Sequence, residues 1–322
     1  MKKNKFIKYA GAGLGLLGAT MSLSYGEINL SKCLEGNKFS CWNQKFQRED
    51  AKKVVDLLEK KKANIAWITI GNCKLENDFC TAFVKVLEDN TTLKHLNLDD
   101  NQIGDEGAKK LAEALQKNKT LEELLLEKNQ IGYSGAIALA TALKGNTTLK
   151  NLKLGSNQIG YAGVEALAKA LKKNKTLESL WLQDNQIGYS GVEELAKALK
   201  NNKTLKFLDL DSNMIEDECA KALAEALEEN TTLERLSLGC NKIGYEGTTA
   251  LANALEKNET LESLYLYHNE DIDDLAVTAL VNALENNKTL KVLWLSGCKI
   301  KDKGALETVW FKTDRSAENL YL

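Results

Sequence analysis

Apolar residues recur along this chain at two alternating spacings, first every second position and then every third or fourth, and the pair of rhythms returns every 28 residues. Leu93, Leu121, Leu149, Leu177, Leu205, Leu233 and Leu261 open successive units. The units across 93–260 are each 28 residues long, and 261–289 carries one extra residue near Glu270–Ile272. An imperfect unit precedes them at 65–92, and a truncated one begins at Leu290. A fixed period of this size predicts a solenoid of stacked supersecondary units. Each unit opens with L-x-x-L-x-L-x-x-N-x-I, first complete as Leu93, Leu96, Leu98, Asn101 and Ile103. The period of two at Leu96 and Leu98 predicts a strand whose intervening residues face the other side. In the second half of the unit Ala108, Leu111, Ala112 and Leu115 fall at i, i+3, i+4 and i+7, with Lys109, Lys110, Glu113 and Lys117 opposite. That predicts an amphipathic helix. Strands stack about 4.8 Å apart and helices pack about 8–10 Å apart, so the stack must bend. The expected fold is therefore α/β: a curved solenoid with parallel strands on the concave face and helices on the convex face.

The ninth position is asparagine in Asn101, Asn129, Asn157, Asn185, Asn213, Asn241 and Asn269. An amide at this bend can satisfy backbone groups that the turn leaves unpaired. Cys73 and Cys298 take the same position in the outer units and read as buried repeat residues, not as metal ligands or nucleophiles. Gly107, Gly135, Gly163, Gly191 and Gly247 share one place near the helix start. A solenoid needs its ends covered. Ala51, Val54, Val55 and Leu58 form an amphipathic stretch ahead of the repeats, and Val309, Trp310 and Phe311 precede a polar end. The expected organisation is a signal peptide at 1–26, an N-terminal cap at 27–64, repeats at 65–310 and a C-terminal tail at 311–322.

The consensus L-x-x-L-x-L-x-x-N-x-I-G-x-x-G-x-x-x-L-A-x-A-L resembles the ribonuclease-inhibitor class of leucine-rich repeat. That class includes ribonuclease inhibitor and the repeat regions of NOD-like receptors, and the resemblance covers roughly residues 65–310. It implies protein binding on the concave strands. The chain departs from NOD-like receptors in lacking a nucleotide-binding domain, and from ribonuclease inhibitor in having fewer repeats and an export signal. Nucleotide-driven signalling and ribonuclease inhibition are thus not expected.

Lys2, Lys3, Lys5 and Lys8 precede an uncharged, mostly apolar or small run from Tyr9 to Tyr25. This is the pattern of a secretory signal, with cleavage expected after Gly26. An uncleaved anchor is the alternative, and only then is a membrane contact expected. Residues 1–26 hold four of the 43 basic residues and none of the 45 acidic ones, so the rest carries 39 against 45. An acidic remainder gives no electrostatic footprint for nucleic acid. Cys33 and Cys41 lie close together before the repeats and can pair in an oxidising compartment. The expected location is secreted or periplasmic, in or beyond the cell envelope, and the lysine- and asparagine-rich composition reads as bacterial.

Positions two, three, five, seven and eight of each unit face solvent and vary while the framework stays fixed. In the C-terminal half this face gathers Trp181, Phe207, Tyr265, Tyr267 and Trp294, with Asp184, Asp209 and Asp211 among them. Large aromatics mixed with a few charges suit a protein-binding hot spot. The expected partner-binding set is Trp181, Phe207, Asp209, Asp211, Tyr265, Tyr267 and Trp294. Asp99, Asp100, Glu122, Glu123, Glu127 and Lys128 in the N-terminal half read as solvated. Tyr133, Tyr161, Tyr189 and Tyr245 form a second column, replaced elsewhere by Asp105 and Asp217, where aspartate is expected to cap its helix.

Other signals are weak. Gly13, Gly15 and Gly18 match G-x-G-x-x-G but lie in the leader, without the strand and later acid a dinucleotide site needs. The N-x-T triplets at Asn90, Asn118, Asn146, Asn174, Asn202, Asn230, Asn258 and Asn287 follow the repeat period and read as the turn from helix to next strand, not as glycosylation sites. The two histidines, His95 and His268, lie units apart and outside any Cys/His cluster with metal spacing. With no G-x-S-x-G elbow and no P-loop, neither catalysis, metal nor cofactor is expected. The sequence is compatible with three roles: an exported, non-catalytic binding protein, for instance one engaging a host; a regulator of a small GTPase or other enzyme; and an anchored structural component of the envelope.

Overall fold

In the computed structural model the described residues are 30–44, 46, 48–61, 65–313 and 315–322. The expected signal segment, with its cleavage point after Gly26, lies outside them. From Lys38 onward the described residues alternate strand and helix. β1 (Leu34–Glu35), β2 (Lys38–Trp42) and α1 (Arg48–Lys61) precede the repeats. Then follow β3 (Trp67–Gly71), α2 (Asn77–Asp89), β4 (His95–Asn97), α3 (Asp105–Lys117), β5 (Glu123–Leu125), α4 (Tyr133–Leu143), β6 (Asn151–Lys153) and α5 (Gly160–Leu171). The second half comprises β7 (Ser179–Trp181), α6 (Gly188–Leu199), β8 (Phe207–Asp209), α7 (Asp217–Glu229), β9 (Arg235–Ser237), α8 (Tyr245–Lys257), β10 (Ser263–Tyr265), α9 (Asp274–Asn286), β11 (Val292–Trp294), α10 (Gly304–Lys312) and β12 (Leu320–Tyr321). All 12 strands form one sheet in sequence order. Only the β1–β2 pair is antiparallel among these strands. Leu96, Leu124, Leu152, Leu180, Leu208, Leu236, Leu264 and Leu293 lie side by side in register. Strands and helices bury these leucines between them in one continuous core.

Two asparagine ladders hold the units together. In the first, Asn157 donates through Nδ2 to the carbonyls of Leu126 (2.9 Å), Leu154 (3.0 Å) and Gly155 (3.1 Å), and its Oδ1 accepts from the Ile131 amide (3.0 Å). One side chain thus satisfies backbone groups of two successive units, where an unpaired buried amide or carbonyl costs about 1–3 kcal/mol. Cys73 takes this place with its thiol donating to the Gly71 carbonyl at 3.2 Å, and burial pushes that thiol up to about 11. The residue just before Cys73 and before each asparagine of this ladder is in the left-handed region, from Asn72 (φ 50°) to His268 (φ 52°), a cost the ladder offsets. The second ladder is the N-x-T column. Asn174 is buried, donates to the Leu143 carbonyl (2.8 Å) and accepts from the Thr176 and Leu177 amides. The buried, bonded amide of each triplet explains the recurrence of N-x-T without a glycan.

The helix starts differ from expectation. Asp105 does not cap α3. Its Oδ1 accepts from the Gly132 and Gly135 amides, both at 2.8 Å, and so caps α4 of the following unit. Asp217 does the same for Gly244 and Gly247 ahead of and within α8. The aspartate lies at the front of its own helix, beside the unpaired amides of its neighbour in the stack. Where Tyr133 and Tyr161 replace it, the following helix begins at Gly160 (φ 58°) and Gly188 (φ 64°), a left-handed conformation that glycine adopts without a Cβ clash. Gly163 serves close approach instead: a Cβ there would lie 2.9 Å from the Ala136 Cβ.

Residues 315–322, within the 311–322 stretch expected as a polar tail, pack onto the β11 unit. Trp310 is fully buried, and the Arg315 guanidinium lies 5.0 Å from its ring centroid. Arg315 donates to the carbonyls of Leu290 (2.7 Å), Leu284 (3.3 Å) and Asn287. The last two correspond to carbonyls that the preceding interface gives to Asn287 Nδ2, which reaches Leu255 at 2.8 Å and Asn258 at 3.2 Å. Arg315 therefore takes the bonding place that Asn287 holds at the preceding interface. It holds β12 beside β11, pairing Trp294 with Tyr321. At the other end Cys33 and Cys41 form a disulfide that ties the strand hairpin under the first repeat. Among the described residues no helix is long and apolar enough to cross a membrane.

Candidate functional site

Period two sends the third, fifth and seventh residues of each unit onto the concave sheet face, where neighbouring strands bring equivalent residues side by side. Each site residue is thus placed by its register. Trp181, Tyr265 and Trp294 occupy the fifth-position column, Phe207 the third and Tyr267 the seventh. The structure brings these aromatics together in two groups rather than one. Trp181 meets Phe207 edge-on at 4.9 Å between centroids. Trp294 packs against Tyr265 (6.2 Å) and Tyr267 (5.2 Å). Between the groups lies β9, with Arg235 and Ser237 on this face and Gly239 just beyond. All five rings are half-buried, with one side toward solvent.

The acids divide. Asp184 is exposed at the rim, whereas Asp209 and Asp211 form the floor. Asp211 accepts from Ser237 Oγ (2.6 Å), the Gly239 amide (2.6 Å) and the Tyr267 hydroxyl. Burial raises the Asp211 carboxyl, and these donors oppose that rise. Burial, and then the Asp211 charge, pushes Asp209 up to about 8, with Lys153 acting in the opposite direction. Burial and the Asp211 charge likewise raise the Tyr267 hydroxyl.

The floor continues into the N-terminal half, which corrects the reading of those acids as solvated. Asp99 and Glu127 are half-buried, and Gln183, two strands from Glu127, reaches it across Gly155. Gln183 donates to Glu127 at 2.8 Å, and Lys153 approaches Glu127 at 3.8 Å. Burial, followed by the Glu127 charge, pushes Asp99 up to about 7. Lys153 also lies 4.8 Å from the Trp181 centroid, and Arg235 lies 5.2 Å from that of Phe207.

Sequence reasoning missed three features. Tyr321, on β12, stacks 4.9 Å from Trp294 and extends the aromatic column to the end of the sheet. Trp67 stacks on His95 at 3.5 Å, and His95 Nδ1 lies 2.6 Å from Glu123 Oε2. The third is a set of glycines in the seventh column. A Cβ at Gly71 would collide with the Trp42 ring, at Gly155 with the Gln183 amide, and at Gly239 with the Tyr267 ring. Each glycine is a bed for a large side chain from a neighbouring strand, the preceding one for Gly71 and the following one for Gly155 and Gly239. A glycine beside a bulky residue in one variable column was the available signal. The Tyr133, Tyr161, Tyr189 and Tyr245 column lies at the helix starts, each ring at least half exposed, away from the concave floor.

Among the described residues no group of histidine, cysteine and acidic side chains could hold a metal ion. A depression of about 930 Å³ runs along the N-x-T edge, where Lys94 and Lys150 both pair with Glu122. It is separate from the aromatic floor.

Comparison with known proteins places this arrangement among others. A family model described as "Leucine Rich repeat" matches residues 89–112, 117–140, 145–168 and 286–307. A second, "TMOD/LMOD Leucine-rich domain", matches residues 183–271. The mouse protein "NACHT, LRR and PYD domains-containing protein 4E" is 36% identical over 69 residues, which is 21% of this chain and 7% of that protein. Its relative 4C, also from Mus musculus, is 37% identical over 65 residues, 20% of this chain and 6% of that protein. The chain thus matches less than a tenth of the length of these curated relatives. Among solved structures, "Leiomodin-1 Actin-Binding Site 2 (ABS2)" has a TM-score of 0.39 and 23% identity, covering 55% of this chain and 87% of that one. The tropomodulin C-terminal domain of Caenorhabditis elegans has a TM-score of 0.43 and 19% identity, covering 48% and 93%.

Proposed function

We propose that this chain, a leucine-rich-repeat protein of the ribonuclease-inhibitor class, is a non-catalytic protein-binding module that engages its partner through the C-terminal half of the concave face. The observation that carries this reading is the run of half-buried rings on one open sheet face, Trp181 and Phe207 and then Tyr265, Tyr267, Trp294 and Tyr321. Rigid aromatics presented at little entropic cost are the residues that anchor protein interfaces. The partner is a protein, and neither nucleic acid nor a small-molecule cofactor is required by this face.

Export belongs to the same proposal. The basic and then apolar N-terminal sequence has the composition of a leader, and the Cys33–Cys41 disulfide fits an oxidising compartment. The proposed setting is a secreted or envelope protein of a bacterium, with a host protein as the partner. The full chain and its Trp181→Ala/Tyr265→Ala variant, immobilised side by side, test the reading by capture from host-cell and bacterial lysates. A protein retained by the wild type and lost by the folded variant supports it. Equal capture by both moves the site off this face.

A further inference from the structure

We propose that the concave floor selects a cationic segment, so that the partner docks a lysine- or arginine-bearing stretch against Asp209 and Asp211 between the two aromatic groups. This rests on the reading of that face as the binding surface and specifies the chemistry of what it binds.

Three observations on the open sheet face carry the inference. The first is charge. Asp99, Glu127, Asp209 and Asp211 share one half-buried strip, and the cations set beside them are Lys153 and Arg235. Negative charge held away from water without a matching cation favours a ligand that supplies one and disfavours an anionic ligand. Burial and mutual repulsion, which hold Asp99 and Asp209 toward their neutral forms, express the same imbalance.

The second is that the face already seats cations of the proposed kind. The Lys153 ammonium lies over Trp181 at 4.8 Å while 3.8 Å from Glu127, and the Arg235 guanidinium lies over Phe207 at 5.2 Å. Each pairs a cation with a ring face, an arrangement that gains strength as water is excluded. Tyr265 and Trp294 offer the same kind of surface one and two strands beyond β9, and among the described residues no cation lies over either ring.

The third is an unmet acceptor. Gln183 Oε1 is buried and has no hydrogen-bond partner among the described residues, while its Nε2 is committed to Glu127. Turning the amide over would set its oxygen against the Glu127 carboxylate. Oε1 is covered in the free protein, so a ligand donor reaches it only as the Gln183 side chain lifts off Gly155, and an ammonium or guanidinium then supplies the bond it lacks.

The test titrates the full chain with decalysine, deca-arginine and decaglutamate peptides, following intrinsic tryptophan emission and calorimetric heat. At pH 9, where Asp209 is ionised, Asp209→Asn keeps the shape and removes the charge. Asp99→Asn is the second variant should the first fail to melt cooperatively, and Glu225→Gln, on the convex side, is the control. The expected result is saturable binding of both cationic peptides and none of decaglutamate. Binding should weaken about tenfold or more in Asp209→Asn, as for loss of one partner in a close charge pair, and stay unchanged in Glu225→Gln. Equal affinity of wild type and Asp209→Asn, equal weakening in Glu225→Gln, or binding of decaglutamate overturns the inference. A captured protein lost by Trp181→Ala/Tyr265→Ala but kept by Asp209→Asn overturns the inference alone. One kept by both variants overturns the binding-face reading as well.

Discussion

Arg315→Ala is the substitution whose effect follows most directly from the structure. The wild-type guanidinium donates to the carbonyls of Leu290, Leu284 and Asn287 and covers the Trp310 ring. A hydrogen bond from a charged group contributes about 1.5–3 kcal/mol net. Three such bonds are not additive, and at the end of the stack water replaces part of what is lost, so the expected cost is about 2 kcal/mol. Because each unit of a solenoid contacts only its neighbours, the loss should fall on the last unit. Amide hydrogen exchange is the appropriate assay. Protection in α10 and β12 should drop about 30-fold, the equivalent of 2 kcal/mol, while β4 to β8 keep theirs. Arg315→Lys should recover part of the loss, since the ammonium keeps the charge but lacks the planar fork that spans the three carbonyls. Unchanged exchange in β12, or an equal loss along the whole chain, would refute the role of Arg315 in the bonding place that Asn287 holds at the preceding interface.

Asp105→Ala removes the cap of α4, not of α3, and should cost about 1 kcal/mol; exchange that rises at Gly132 and Gly135 while the start of α3 is untouched is the expected pattern, and the reverse would contradict it. The pH dependence of stability has a definite sign. Asp99 and Asp209 are pushed up to about 7 and about 8 in the folded protein from an ordinary value of 3.8, so the folded state keeps protons that the unfolded chain has released. Their contribution is complete below about pH 4 and is lost as the pH rises through 7–8. The melting temperature should therefore fall by several degrees between pH 5.5 and pH 9, roughly 2–4 °C for each kcal/mol lost; a slope in Asp209→Asn as steep as in the wild type would count against this assignment. Cys240, exposed at the concave rim, should react with a thiol reagent in the native protein, whereas buried Cys73, Cys80 and Cys219 should react only on unfolding; native labelling of four thiols would contradict the packing.

Repeat architecture was legible in the sequence because every unit writes the same signal. The leucine pair at spacing two, the asparagine after the strand and the helical alanines recur until chance is excluded. Features formed between units were less legible. Asp105 looked like a cap for its own helix because its sequence neighbours are those of α3, yet its partners lie 27 and 30 residues away. The end at Arg315 follows no period, and its polar surroundings hid Tyr321 from the aromatic column. The proposed binding face was visible as variable positions on a fixed framework. Its electrostatics were not. From the sequence Asp99 and Glu127 read as solvated, because strand alternation gives the side of the sheet but not the length of the side chains that reach across it. Gly155 beneath Gln183 and Gly239 beneath Tyr267 carry that information, but only when read across columns.

The most direct test of the account places a photoreactive phenylalanine analogue at Tyr265 on the concave face and, in a separate chain, at Tyr161 on the exposed helix-start column, then irradiates each full-length protein in host and bacterial lysates. The account predicts a discrete protein adduct from position 265 that is absent from position 161 and is competed by unmodified wild-type protein. An adduct formed at 161 and absent at 265 would contradict it.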